Sequence, residues 1–310
     1  MRVFVAGGTG ALGRRLVPRL VARGHRVTAT TTSGAGLAVA ARLGARGVLM
    51  DGLDAMSVGE AVGRARPDVI VHQMTALPAT LRGKPGIGRP DRLPGTTIRL
   101  RTEGTDHLLA AAEAIGVPHV VAQSLASWNG IRRGGWVKTE EDPLDLYEGT
   151  PAFPGMVAVR HVEEAVLAYG GAALRYGCLY GPGAVVAQVG LVRGRRLPLT
   201  GGGTGHTSWV HLDDAADATV LAVERRARGV FNIVDDEPAP ASEWLPHLAA
   251  CAGAARPLRL PRWSVRLLAG DLAVIMMTEG RGFSNAKARA EWGWQLRHPS
   301  WRQGFEEELA

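Results

Sequence analysis

A strand-like run, Arg2-Val3-Phe4-Val5-Ala6, leads directly into Gly7-Gly8-Thr9-Gly10-Ala11-Leu12-Gly13. Apolar residues at helical spacing follow, Leu12, Leu16 and Leu20. Glycines at positions 7, 10 and 13, set between a strand and a helix, leave few folds open. Gly7 permits a tight turn, Gly10 lets the backbone approach a pyrophosphate, and Gly13 lets helix and strand pack closely. The helix N-terminus supplies free N–H groups and roughly half a positive charge to phosphate oxygens. The backbone of Thr9, Ala11 and Leu12 belongs to the same candidate cofactor cradle.

The rest of the first half keeps this rhythm. Strand-like runs at Val3–Ala6, Arg26–Thr30, Gly47–Met50, Val69–His72 and His119–Gln123 alternate with helical segments at Ala11–Arg23, Leu37–Leu43, Asp54–Arg66 and Thr97–Ile115. Such alternation predicts an α/β fold, a Rossmann-type doubly wound parallel sheet with helices on both faces. Pro18 breaks the local rule, because proline inside a helix removes a hydrogen bond. Two more strand-like runs, Ala172–Cys178 and Val230–Val234, return to the sheet before a Trp-rich helical end. The expected organisation is a nucleotide-binding domain over 1–178, rejoined by 206–235, with a smaller discontinuous substrate-binding cap from 179–205 and 236–310. A Gly/Pro-rich basic segment, Pro78 to Gly95, reads as a surface loop in which Arg82, Lys84, Arg89 and Arg92 could attract an anion.

Composition removes several classes of function. The net charge is +7, but the arginines are scattered rather than gathered into a stripe with interleaved aromatics, which argues against nucleic acid. Cys178 and Cys251 have no CxxC or HxxxH partners, which argues against structural zinc or a disulfide framework and fits a reducing compartment. The most membrane-like stretch, Leu267 to Met277, is too short for a bilayer and contains Asp271. A cytoplasmic protein without a metal, acting on a small molecule, is expected, as a monomer or homodimer.

Cofactor choice is read at the second strand. NAD-selective sites usually place Asp or Glu at its end to hold the ribose hydroxyls. Here the residues are Thr30-Thr31-Thr32-Ser33, and the missing acid favours NADP(H) over NAD. Thr31 is the candidate contact, with Arg14 the nearest basic residue. Asp51, past the third strand, is a candidate for the adenine edge or for the turn into the Asp54-capped helix. Gln73, just past the fourth strand, is a further candidate.

Motifs across nearly the full length now resemble the extended short-chain dehydrogenase/reductase superfamily, in its NAD(P)-dependent epimerase/dehydratase group. They are Val3 to Gly13, Pro67-Asp68-Val69-Ile70-Val71-His72, Glu103-Gly104-Thr105, Leu174 through Tyr180-Gly181-Pro182-Gly183, and Trp209-Val210-His211-Leu212-Asp213-Asp214-Ala215. The resemblance implies a cleft reached from Arg175 through Gly183, with His211 and Asp214 read as a packed strand histidine and a helix cap. It also implies Tyr-x-x-x-Lys on the helix before the Arg175 strand. Anchoring on Glu164 puts Met156 at the Tyr position and Arg160 at the Lys position. Methionine transfers no proton, whereas the forked, permanently charged Arg160 suits a ribose. Ser124, in a run with Ser127, then becomes the candidate oxyanion partner, with Tyr147 the weaker donor. The expected function is an NADP(H)-dependent oxidoreductase or epimerase/dehydratase of atypical site. The alternatives are a non-catalytic NAD(P)-binding sensor or partner-binding protein, and a non-redox isomerase.

Overall fold

The computed structural model describes residues 1–76, 95–127, 129–182, 184 and 186–309. The first half runs β1 (Arg2–Ala6), α1 (Gly13–Ala22), β2 (Arg26–Thr31), α2 (Gly34–Arg42), β3 (Arg46–Leu49), α3 (Ala55–Ala65), β4 (Val69–His72), α4 (Gly95–Arg101), α5 (Glu103–Ala114), β5 (Val120–Leu125), β6 (Val137–Lys138), α6 (Phe153–Ala168) and β7 (Ala172–Tyr176). Then come β8 (Cys178–Tyr180), α7 (Val186–Arg193), β9 (Leu199–Thr200), β10 (His206–Thr207), β11 (Trp209–His211), α8 (Leu212–Glu224) and β12 (Gly229–Ile233). The chain closes with β13 (Ala239–Pro240), α9 (Ala241–Cys251), β14 (Arg259–Leu260), α10 (Arg262–Thr278), β15 (Gly282–Phe283), α11 (Ala286–Trp292) and α12 (Trp301–Leu309).

Seven of these strands make one parallel sheet in the order β12-β7-β5-β4-β1-β2-β3. The order reverses between β1 and β4, with Val3 opposite Val69 and Ala6 opposite His72. That reversal opens a crevice at the carboxyl ends of the strands, where open α/β sheets bind their ligands. Both faces are covered, so β1 and β4 are apolar almost without alternation. Val3, Val5, Leu16, Leu20, Leu174 and Phe231 fill one layer, and Phe4, Val58, Ile70, Leu108, Val162 and Val166 the other. A third cluster, with Tyr180, Trp209, Trp244, Trp301 and Phe305, forms the core beyond the sheet.

Local chemistry sets the boundaries. Asp54 caps α3 by accepting from the amides of Met56 and Ser57. The predicted helix over Thr97–Ile115 is two helices, broken at Thr102 (φ −95°, ψ −84°), whose hydroxyl donates to the Ile98 carbonyl. α1 runs on through Pro18. Trp292 and Trp294, expected in the cap, pack instead in the sheet's own core, with Trp292 against Phe231. The basic loop residues Arg82, Lys84, Arg89 and Arg92, together with Gly183, lie outside the described residues. Among those described, no helix is long and apolar enough to cross a membrane, and both cysteines are free.

Candidate active site

The glycine loop is built as its spacing requires. Gly7 has φ +85°, and a Cβ there would come within 2.8 Å of the Gln73 carbonyl oxygen. Its amide donates to Thr30 Oγ1 at 2.9 Å, tying the loop to β2. A Cβ on Gly13 would come within 2.8 Å of the Gly7 carbonyl oxygen, so the helix could not pack this close with any larger residue. Gly10 differs: its Cβ direction meets only the Gly7 carbonyl, at 3.3 Å, and the residue is exposed, as is Ala11. Thr9 is half-buried, and Leu12 turns its side chain into the core. Among the described residues the amides of Ala11 and Leu12 have no acceptor, and α1 begins at Gly13. Two unmatched amides at a helix N-terminus fit a pyrophosphate.

At the end of β2, Thr31 is buried, and its hydroxyl accepts from the Ser33 amide at 3.5 Å. Ser33 caps α2, and the first turn of that helix carries no acid. Arg14 Nε donates to the Thr9 carbonyl at 3.0 Å, which holds its guanidinium beside the loop. Asp51 accepts from the Leu53 amide at 2.9 Å and is exposed, so it shapes the turn into α3 while facing solvent.

Beneath the crevice lies a buried polar layer. Gln73 Nε2 donates to the Tyr176 hydroxyl at 3.2 Å. Thr219 gives its proton to the Ala215 carbonyl, so Tyr176 must donate to Thr219 Oγ1, 2.6 Å away. Burial pushes Tyr176 up to about 12. Gln73 Oε1 has no donor among the described residues, an open acceptor beside the Gly7 turn. On the neighbouring strands Ser124 donates to Glu163 Oε1 at 2.5 Å, while Arg175 grips both carboxylate oxygens at 2.8 Å. Arg101 is buried as well, its NH1 3.5 Å from the Gln123 carbonyl. Desolvation lowers it to about 10, against the pull of Glu163. His72 is held neutral, lowered to about 3 by burial and then by Arg101.

Several expectations change here. The single proton of Ser124 goes to Glu163, so the hydroxyl is not a ready donor to a substrate oxygen. Tyr147 does not swing: it is buried, at φ +55°, packed with Met156, Val159 and Leu272, with Arg132 5.2 Å over its ring. Burial, and then Asp145, push its hydroxyl well above the ordinary range. Arg160 stands on the exposed stripe of α6 with Glu164, 3.5 Å away, rather than facing the sheet. The acid that α6 buries is Glu163, not Glu164. Anchored there, the signature positions fall on Gly155 and Val159; in either register the inward face carries no Tyr and no Lys. His211 itself caps α8, accepting from the Asp213 amide at 3.1 Å. Asp214 instead accepts from the amides of Arg297 and His298 at 2.7 and 2.9 Å, fastening the C-terminal segment. Sequence reasoning missed Glu163 and Arg101. The available signals were the Glu163-Glu164 doublet on α6 and Arg175 on the otherwise apolar strand β7.

Residues 3–234 match the NAD dependent epimerase/dehydratase family. The chain belongs to that family. It is 44% identical over 312 residues to the 3-diazoavenalumate denitrifying reductase of a Streptomyces species, covering 98% of this chain and 99% of that protein. In fold it is similar to the Thermus thermophilus UDP-glucose 4-epimerase complexed with NAD (24% identity, TM-score 0.74, 100% and 98% of the two chains). It is also similar to the human epimerase family protein SDR39U1 with NADPH (21% identity, TM-score 0.73, 100% and 99%). The seven-stranded sheet and its glycine loop are therefore those of an NAD(P)-binding enzyme of the oxidoreductase and epimerase kind.

Proposed function

We propose that this chain is an NADP(H)-dependent reductase whose substrate takes up hydride without needing a proton from the protein: a diazonium carbon on an aromatic carboxylate, released of its nitrogen. One observation carries the reading: the inward face of α6 presents Gly155, Met156 and Val159 where a carbonyl reductase of this family needs a tyrosine and a lysine. Nor does another phenol replace it. Tyr147, Tyr176 and Tyr180 are buried with raised pKa values, and the Tyr169 hydroxyl donates to the Val117 carbonyl at 2.6 Å. Reduction of a carbonyl forms an alkoxide and demands an acid. Replacement of dinitrogen does not: the carbon–nitrogen bonding pair leaves with N2, hydride forms the new C–H bond, and no proton moves. The name of the Streptomyces relative, a denitrifying reductase of a diazo acid, supports the same chemistry.

Bound NADPH would supply the hydride; the chain's part is to hold and orient. The amides of Ala11 and Leu12 and the N-terminus of α1 suit the pyrophosphate, and Gln73 Oε1 offers an acceptor under the crevice. The acid-free first turn of α2 and the nearby Arg14 favour the 2′-phosphate of NADPH over the bare ribose of NADH. Met156, Val159 and Leu272 are buried together with Tyr147 in one apolar cluster, and such surroundings would keep water from a reactive cation. The test is diazotised 3-aminocinnamate with [4-²H]NADPH. Dinitrogen release in step with NADPH oxidation is expected, with deuterium on the carbon that carried nitrogen. NADPH oxidation without dinitrogen, or faster turnover of simple ketones, would sink the reading, and an equal rate with NADH would sink the cofactor preference.

A further inference from the structure

We propose that Arg281 anchors the substrate's carboxylate at the mouth of the cleft. The assignment rests on the reading above and names the second half of the same site. Arg281 is only 9% exposed, just before β15. Its NH1 donates to the Glu279 carbonyl at 2.6 Å, while Nε is shut away from water without an acceptor. No carboxylate lies within 4.0 Å of it among the described residues, whereas neighbouring Arg132 takes both Asp145 at 2.6 Å and Glu279 at 3.1 Å. The local acids are thus spent on Arg132, and among the described residues Arg281 remains a buried cation without a counterion. Such a charge is costly until an anion meets it.

The surroundings hold that guanidinium in place. Its Cζ lies 4.1 Å from the centre of the Trp136 ring, which is 42% exposed and so marks the rim. β6 pairs with β15, the Gly282 amide donates to the Trp136 carbonyl at 2.9 Å, and a Cβ on Gly130 would come within 2.9 Å of the Arg281 Cβ. His206 lies along Trp136, ring centres 5.0 Å apart. Its Nδ1 faces the Thr204 carbonyl at 3.0 Å and therefore carries the hydrogen, so neutral His206 adds an acceptor and no second cation. With NH1 engaged and Nε sealed, NH2 is the donor that meets an incoming carboxylate first, and a carboxylate drawn in there would satisfy Nε on the same edge, completing two parallel bonds. Tyr147 connects this rim to the reacting end: it packs against Met156 on one side and feels the charge of Arg281 on the other. A planar conjugated acid reaching past Tyr147 would bring its carboxylate to Arg281 and its far carbon to the inward face of α6.

The test uses the protein loaded with NADP⁺ and two unreactive probes, trans-cinnamate and its neutral isostere cinnamamide, compared by titration calorimetry. Wild type should prefer the acid by about tenfold or more, as expected for a bidentate charge-assisted contact. Arg281→Gln should abolish that preference while leaving the amide's affinity within about twofold. Should that variant not fold, Arg281→Lys keeps the charge without the fork and should lower cinnamate affinity about threefold or more. An absent preference in wild type, including no binding of either probe, overturns the proposal. So does a preference that persists unchanged in whichever variant folds. Neither probe is a diazonium, so the two readings fail separately. A preference absent in wild type, or unchanged in the variant, with dinitrogen release intact removes the anchor alone; a preference that depends on Arg281 without dinitrogen release removes the diazonium chemistry alone.

Discussion

Replacing Glu163 by Gln removes the charge that holds the polar layer together. Three hydrogen bonds converge on that carboxylate, one from Ser124 and two from Arg175, and among the described residues buried Arg101 has no acid of its own within ion-pair distance. The amide keeps the shape but turns an N–H₂ toward a guanidinium and leaves two buried cations unbalanced. Breaking a buried pair in this way costs about 3–5 kcal/mol. With a urea slope of about 3 kcal/mol/M, the unfolding midpoint should drop by about 1 M or more. Equilibrium urea unfolding of wild type, Glu163→Gln, Arg175→Met and the double variant closes the cycle. The double variant should be more stable than the sum of the single losses implies, with an interaction energy of about 2 kcal/mol or more. Arg101 stays uncompensated in it, so recovery is incomplete. A single-variant loss below about 1 kcal/mol, or an additive cycle, would refute the view that this carboxylate neutralises the layer.

Acidification acts through His72, whose folded value near 3 lies below the unfolded 6.5. The unfolded chain binds the proton first, so this stabilisation is complete above about 6.5 and is lost as pH falls toward 3, by about 2 kcal/mol at pH 5. Urea midpoints measured from pH 7.5 to 5 should show that slope, and His72→Gln should flatten it. Gly10→Val, filling the open side of the loop, should weaken NADP⁺ binding tenfold or more in calorimetry at about unchanged stability; intact affinity would move the site elsewhere. Arg160→Ala should alter that affinity by less than about 0.5 kcal/mol, because its side chain lies on the exposed stripe. Tyr147→Phe should leave kcat for the diazonium probe within about threefold, and a fall of about a hundredfold would mark Tyr147 as a true acid.

The strand–glycine loop–helix opening and the alternation after it were enough to specify the parallel sheet and its nucleotide crevice. Both are local and repetitive: Gly7 is dictated by its own φ and by the carbonyl beneath it, and an apolar strand such as Val69–His72 records its burial residue by residue. That α6 carries no Tyr and no Lys is legible for the same reason, since a helix can be counted along the chain. What stayed hidden depends on pairs distant in sequence. Glu163 and Glu164 are equivalent until a strand is laid against α6, and then only Glu163 reaches Arg175 and Ser124. Arg160 was assigned by anchoring the signature on Glu164 and Tyr147 by its place in the loop ahead of that helix, yet the helix turns one outward and apolar packing locks the other in place. Arg281 stands 145 positions from Trp136 and draws its character from Arg132, which has already taken the local acids. A charge is defined by what surrounds it, and those surroundings come from strands and helices that meet only when the chain folds.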